Sequence, residues 1–388
     1  MRRRPEEEAS IHSTPPPNRL ERLPEQYFTR LLARVAEVAA SEGEPLVDLG
    51  RGNPETGPPQ HVVDALARAA SRSDTHGYAP FAGLPALKEA IAARYRDVYD
   101  VTLDPAREVA VLPGSKTCLI EFAQVTTERG GTIVLPDPGY PDYRSALAFS
   151  AAELGTLPIE PDGRPLWDAA PRTASALYLN YPSNPVAACA PDGVFAEAIE
   201  WARSAGAWVM HDFAYGDLVF DGRRPASFLA QDGAREVGIE LFSMSKSYGM
   251  AGWRLGFAVG NAEIVARIEN LQNHQFAGVF MPVQEAGIAA LTGPQESVEE
   301  RRAVYEARRD RALAALTGLE AHGDGTFFVW FRLPDGVTTE SLLLDHRVAV
   351  APGEGFGERG RGWARLSLAT ADDKLDLGLE RLRGALHG

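Results

Sequence analysis

The stretch "SMSKSYGMAGWRLGF", residues 243–257, holds a single lysine, Lys246, among small and hydroxyl side chains, with Arg254 behind it. A segment this poor in charge suits an amine kept for chemistry, since a lysine can condense with a carbonyl and form a Schiff base. Arg254, Ser243, Ser245 and Ser115 are suited to a phosphate. Gly114-Ser115-Lys116 follows the apolar run "VAVLP" and opens a helical pattern, where backbone N–H groups also favour an anion. Tyr140 follows "TIVLPDPG", Asn184 follows "ALYLNYPS", and Asp212 and Tyr215 follow "AWVMH". A carboxylate can hold a protonated ring nitrogen, an amide and a phenol can donate to a phenolate oxygen, and a tyrosine can stack on a ring. Pyridoxal phosphate asks for this set: an amine for its aldehyde, an anion at Asp212 for its pyridine nitrogen, and donors for its phosphate.

These residues share a position because of the elements that precede them. Short apolar runs, "EVAVLPG", "TIVLPDPGY", "ALYLNYPSNP", "AWVMHDFAY", "IELFSMSKS" and "LGFAVG", alternate with helical patterns such as "TCLIEFAQVTTERG" and "PDGVFAEAIEWARSAG". That rhythm predicts βαβ units and a mostly parallel sheet covered on both faces, whose strand ends collect ligands. Upstream, "LPEQYFTRLLARVAEVAASEG" predicts an amphipathic helix running toward Gly43. Downstream, "ESVEERRAVYEARRDRALAAL" predicts a long connecting helix whose arginines, interleaved with glutamates, form a solvated face. "GTFFVWFRL", "RVAVAPG" and "WARLSLA" predict the strands of a smaller α/β unit. The expected division is a flexible arm over 1–18, an N-terminal helix and small-domain segment over 19–58, a large domain over 59–285 and a C-terminal small domain over 286–388. No internal repeat is present.

With 388 residues, 45% hydrophobic and 24% charged, the chain can bury a large core and a cofactor. A formal charge of −14 argues against nucleic acid or an anionic membrane as partner. The start "MRRRPEEEASIHSTPPPNRL" has no apolar core behind its basic residues, and no apolar run reaches bilayer length. Two cysteines, Cys118 and Cys189, are expected as unpaired thiols with no metal or redox motif around them. A cytoplasmic protein is the expectation.

The chain resembles the class I/II aminotransferases of pyridoxal-phosphate fold type I. The resemblance is carried by "HGYAPFAGLPALKEAIAARY", "PGSKTCLIEF", "LPDPGYPDY", "NYPSNPVAA", "HDFAYGDLVFDG", "SMSKSYGMAGWRLGFAVGN", "APGEGFG" and "ARLSLA", with a flavour closest to the LL-diaminopimelate aminotransferase-like branch. It implies a large domain with a mostly parallel seven-stranded sheet between helices, a smaller α/β domain, and ping-pong transfer of an amino group between an L-amino acid and a 2-oxo acid. It further implies Lys246 as Schiff-base lysine and proton carrier, Asp212 at the pyridine nitrogen, Asn184 and Tyr215 at the phenolate oxygen, Tyr140 stacked on the ring, and Ser243 and Arg254 at the phosphate. By the same resemblance Tyr78 serves the phosphate of a neighbouring subunit in a homodimer, and Arg365 holds the substrate α-carboxylate. Arg51 and Gly52, in "DLGRGNP", fall in the turn that covers the pocket.

Plainer readings coexist with these. Asp212 also suits a helix cap, Asn184 an Asn-Pro turn, Tyr140 turn packing, Lys116 a surface charge, and Arg51 and Arg365 ion pairs. A lyase, cyclase or oxidase using the same cofactor is the alternative activity. Where many relatives read Asn-Pro-Thr-Gly this chain reads Asn184-Pro185-Val186-Ala187, and because alanine resists positive φ the turn is expected to change. Gly249 and Ala251 replace larger residues, which predicts a wider pocket or looser loop. "NHQFAGVFMP" lacks the arginine of dicarboxylate-specific relatives, which disfavours aspartate or glutamate as the sole special substrate.

Overall fold

The structure, a computed structural model, describes residues 21–387. The arm expected over 1–18 lies outside the described residues. Strands are numbered in chain order: β1 Val47–Asp48, β2 Val109–Leu112, β3 Thr132–Asp137, β4 Glu153–Pro158, β5 Ala176–Asn180, β6 Trp208–Asp212, β7 Gly238–Ser243, β8 Gly256–Gly260, β9 Ala321–His322, β10 Phe328–Arg332, β11 Val348–Ala349, β12 Ala351–Pro352 and β13 Trp363–Ser367.

The central sheet has seven strands in the order β2-β8-β7-β6-β5-β3-β4. Strands β2, β5, β7 and β8 are buried along their whole length and β6 everywhere but at Trp208, so they read as largely apolar runs rather than alternating ones. Apolar clusters lie on both faces, with Leu177, Val209 and Phe257 in one and Tyr178, Met210 and Ala258 in the other. Only β8 runs against its neighbours. Its reversal matters for the site, because Gly256 at its start pairs with both Leu112 and Ser243, the last residues of β2 and β7. Arg254 therefore arrives at the edge where Gly114, Asp212 and Lys246 leave their strands.

The seventh strand, β4, was not among the predicted runs. Its sequence "ELGTLP" mixes glutamate, glycine and proline, and as an edge strand it keeps exposed positions. The N-terminal helix ends at Ala39, short of Gly43, because the polar "SEGE" that follows has no apolar stripe to bury.

A second sheet, β12-β13-β10-β9, is antiparallel and encloses its own apolar cluster around Phe331, Leu366 and Leu382. Beside it β1 pairs in parallel with β11, Val47 against Val348. Arg365 sits mid-strand on β13, opposite Trp330 on one side and Ala351 on the other.

The arginine-rich helix, Glu296–Ala315, departs from the expected solvated face. Arg301, Arg308 and Arg309 are buried. Arg301 donates to the carbonyls of Thr56 and Gly57 at 3.1 Å each, Arg308 pairs with Glu55 and Asp372, and Arg309 pairs with Asp221 at 2.7 Å and donates to the Gly323 carbonyl at 3.0 Å. The glutamates of the same helix are not their main partners. The acids and carbonyls come from distant loops, so the helix clamps the turn 55–57 that follows Arg51 and Gly52.

Candidate active site

One cavity of about 560 Å3 gathers most of the predicted residues: Ser115, Lys116, Tyr140, Asn184, Asp212, Tyr215, Ser243, Ser245, Lys246, Arg254, Arg365, Arg51 and Gly52 line it. A pocket of this size suits a small-molecule ligand with a few converging polar groups.

At one end lies an anion cradle. Gly114 takes φ +85° ahead of the helix Ser115–Thr126, whose N-terminus has no side-chain cap, so its first N–H groups stay free. A Cβ on Gly114 would come within 2.7 Å of the Arg254 guanidinium carbon, so the arginine rests on bare backbone. Arg254 itself has φ +56° and donates to the Ala251 carbonyl at 2.9 Å. Ser243 Oγ accepts the Ser245 N–H at 3.2 Å, which leaves the Ser243 hydroxyl proton free to donate.

Asp212 closes β6 and is buried. Its Oδ2 accepts from the Tyr143 hydroxyl at 2.8 Å and its Oδ1 from the Ala214 N–H at 3.2 Å, and no cation among the described residues hydrogen-bonds it. Burial raises its pKa, while the Tyr143 and Ala214 bonds and the charges of His211 and Lys246 pull it back. Lys246 faces the same space. Burial, helped by Arg365 and Arg254 and opposed by Asp212, lowers its pKa from 10.5 to about 8. Its Nζ lies 3.5 Å from the Gly52 carbonyl and 5.2 Å from the Phe327 ring centre.

Arg365 marks the other end. It is 1% exposed, with Nη1 donating to Asn184 Oδ1 at 2.7 Å and Nη2 to the Gly50 carbonyl at 3.1 Å, while Nε has no partner. The Phe328 ring centre stands 3.9 Å from its guanidinium carbon. No carboxylate pairs with it among the described residues, and burial depresses its pKa to about 10. A cation desolvated to this degree and left unpaired is costly, so the site is built to receive an anion.

Asn184 is thus engaged by Arg365, and its N–H donates to Asn180 Oδ1 at 2.7 Å. Asn180 in turn donates to the Asp212 carbonyl at 2.8 Å. Tyr140 donates to Asp142 at 2.7 Å, and Lys116 Nζ pairs with that carboxylate at 2.5 Å. Lys116 borders the cavity and pairs with the same acid that accepts from Tyr140. Tyr215 is buried edge-on against Phe327 and Phe328. Tyr78 is 87% exposed and does not line the cavity of its own chain.

The turn 184–187 keeps a left-handed residue despite the lost glycine, for Ala187 has φ +59° and is fully buried. Gly249, with φ +67°, does not widen the pocket: a Cβ there would meet the Gly57 carbonyl oxygen at 2.6 Å, so the glycine permits close approach of two loops.

Sequence reasoning missed Tyr143, Asn180 and the apolar wall of Phe28, Leu31, Leu32 and Phe328. Tyr143 and Asn180 stood inside motifs already quoted, three residues from Tyr140 and four from Asn184. A hydrophobic stripe on the N-terminal helix was visible, but not the surface it faces.

Comparison with known proteins identifies the family. The family described as "Aminotransferase class I and II" matches residues 44–382. An L-glutamine–4-(methylsulfanyl)-2-oxobutanoate aminotransferase of Bacillus subtilis is 42% identical over 92% of each chain, and an LL-diaminopimelate aminotransferase of Moorella thermoacetica is 38% identical over 95% of this chain and 97% of its own. The solved apo-BacF structure from Bacillus subtilis superposes with a TM-score of 0.90 at 36% identity, covering 96% of this chain and 98% of the other. The chain belongs to the class I and II aminotransferases. It is an enzyme of that fold and activity, and the lyase, cyclase or oxidase alternative is not favoured.

Proposed function

We propose that the cavity holds pyridoxal phosphate and moves the amino group of an L-amino acid with an uncharged side chain to a 2-oxo acid. When bound, that cofactor supplies an aldehyde for amines and a ring that accepts the electron pair left at the substrate α-carbon. The residues fit the group: the uncapped helix with Gly114, Ser115, Ser243, Ser245 and Arg254 suits the phosphate, Asp212 suits the ring nitrogen, Asn184 and Tyr215 suit the phenolate oxygen, and Tyr140 suits the ring face.

Lys246 Nζ, whose pKa burial lowers to about 8, is fit to join the aldehyde and then to take and return the α-carbon proton. The observation that carries the substrate reading is Arg365, a buried guanidinium with no acid partner, matched to an α-carboxylate. Phe28, Leu31 and Leu32 form the wall beyond it, and Arg51 stands at the rim, so the side-chain end is largely apolar.

The exposed aromatics Tyr78, Phe81, Phe276 and Phe280 support a homodimer in which Tyr78 serves the second copy's phosphate. The division into domains at about 58 and 285 is supported by the two main sheets, since the strands of the seven-stranded sheet all fall between Val109 and Gly260 and those of the four-stranded sheet between Ala321 and Ser367. Among the described residues no helix is long and apolar enough to cross a membrane, and the unpaired cysteines support a cytoplasmic location.

The test is spectral. Protein loaded with pyridoxal phosphate should lose its visible band on adding a neutral L-amino acid and regain it on adding a 2-oxo acid. Release of ammonia, peroxide or a cyclised product without that cycle would refute transamination.

A further inference from the structure

Two segments that line the cavity converge on one buried cation that does not line it. Arg94, on the helix Pro85–Tyr99, is 7% exposed and pairs with Asp217, which is equally buried. The Tyr99 hydroxyl donates to the same carboxyl oxygen at 3.3 Å. The Arg94 guanidinium carbon lies 5.6 Å from the ring centres of Phe242 and Tyr248 and 5.8 Å from that of Tyr99, each within reach of a cation on an aromatic face.

The partners of Arg94 flank the site residues in the chain. Asp217 lies inside the turn that the Leu218 N–H closes on the Tyr215 carbonyl at 2.8 Å, five residues after Asp212. Phe242 and Tyr248 bracket Lys246, four residues before it and two after, and both are buried. Between them the backbone gathers on one acceptor, for the Tyr248 and Met250 N–H groups both meet the Met244 carbonyl at 3.3 Å. The Tyr248 hydroxyl donates to Gln295 Oε1 at 2.9 Å, which fixes the far end of its ring. Lys246 holds on to little by itself: among the described residues its Nζ has one hydrogen bond, the long 3.5 Å contact with the Gly52 carbonyl. Where that amine stands is therefore set by its backbone, which the two rings resting on Arg94 hold from either side.

We propose that Arg94 is a positioning residue that ties the Lys246 turn to the segment carrying Asp212 and Tyr215, and so fixes where the amine meets the cofactor's aldehyde. The inference rests on the reading of Lys246 given above. An ion pair this deep is a poor source of stability, since apolar side chains of the same volume pack without its desolvation. Arg94 Nε and Asp217 Oδ2 even lack partners among the described residues. What a guanidinium supplies and an aliphatic chain does not is a flat charged face, here shared by rings from one segment and a carboxyl from the other.

The experiment separates joining the cofactor from binding it. Cofactor-free protein is mixed with saturating pyridoxal phosphate, and growth of the visible band reports Lys246 joining the aldehyde; pyridoxamine phosphate, which has no aldehyde, reports binding alone by equilibrium dialysis. Arg94→Met/Asp217→Asn leaves no buried charge behind and keeps an acceptor for Tyr99, so its melting temperature should stay close to the parent's. Its band should grow about tenfold more slowly while its affinity for pyridoxamine phosphate stays within about twofold, because a small misplacement of a reacting group costs rate and not binding. Should the double variant fail to fold, Arg94→Lys carries the same comparison, since it keeps a cation for Asp217 but offers the rings no flat face. A band that grows at the parent rate overturns the inference. So does a slow band with an equal loss of pyridoxamine phosphate affinity, the mark of general damage. If the parent protein forms no band, or Lys246→Ala forms the same one, the reading of Lys246 fails and the inference with it.

Discussion

The hydroxyl of Tyr143 donates to Oδ2 of Asp212 across 2.8 Å, from a residue that follows β3 to one that ends β6. The bond favours the ionised carboxylate against the burial that opposes it. Tyr143→Phe should therefore raise the Asp212 pKa and lower kcat by about tenfold, with the melting temperature little changed because one hydrogen bond is worth about 1 kcal/mol. Steady-state kinetics beside a thermal melt checks this, and an unchanged kcat refutes it.

Gly114→Ala meets two obstacles, φ +85° and the Arg254 guanidinium. Displacing that arginine from the uncapped helix end should weaken pyridoxal phosphate binding by about tenfold, since a charge-assisted contact is worth about 1.5–3 kcal/mol. Equilibrium dialysis of the cofactor is the measurement. Affinity equal to that of the parent protein would show that the cradle is not where the phosphate sits.

Lys246 gives a pH dependence with a definite sign. Only the neutral amine attacks an aldehyde, and with a pKa of about 8 rather than 10.5 it becomes neutral as pH rises through 8. Reconstitution of cofactor-free protein should accelerate up to that point and level off above it. Folding is linked in the same direction: the unfolded lysine binds a proton between those two values while the folded one does not, so this residue's contribution to stability rises with pH across that window. A reconstitution rate that keeps climbing toward 10.5 contradicts the assignment.

Arg308 is buried and reaches Glu55, Asp372 and the Leu368 carbonyl. Arg308→Met keeps much of the packing but leaves Glu55 and that carbonyl without their donor. A loss of about 2–3 kcal/mol is expected, below the full cost of breaking a buried pair because Asp372 is largely exposed. Denaturant unfolding measures it, and a variant as stable as the parent would mean the clamp is dispensable.

Leu31 and Leu32 bound the cavity from the N-terminal helix. Leu31→Arg should lower kcat/KM for apolar amino acids by about tenfold and raise that for glutamate, because a pocket lined by apolar carbon discriminates by about 1–3 kcal/mol per lost contact. Paired kinetics on leucine and glutamate decides, and an unaltered ratio would remove that wall from specificity.

The sheet and the sites at strand ends were legible in the sequence because fully buried parallel strands leave unbroken apolar runs, and polar residues directly after such runs are conspicuous. Lys246, Asp212, Asn184 and Tyr140 were found in this way, and Arg254 by its place eight residues after Lys246; all five share one cavity. Residues that act through another side chain left a fainter trace. Tyr143 and Asn180 touch Asp212 only because β3, β5 and β6 lie side by side, a fact of register. Arg301, Arg308 and Arg309 sit among glutamates at helical spacing and so resembled a solvent face, yet their partners come from loops far off in the chain. Phe28 was visible as part of an amphipathic stripe, but periodicity reports that a face is covered and not by what.

The parallel pairing of β1 with β11 sets an order on biosynthesis. Val47 is translated early and must wait for Val348, about 300 residues later, before its backbone is satisfied, a separation that makes this contact slow to form. The segment carrying Arg51 and Gly52 can therefore take its β1 pairing beside the cavity only after Val348 has been made, whereas every strand of the central sheet is complete by Gly260.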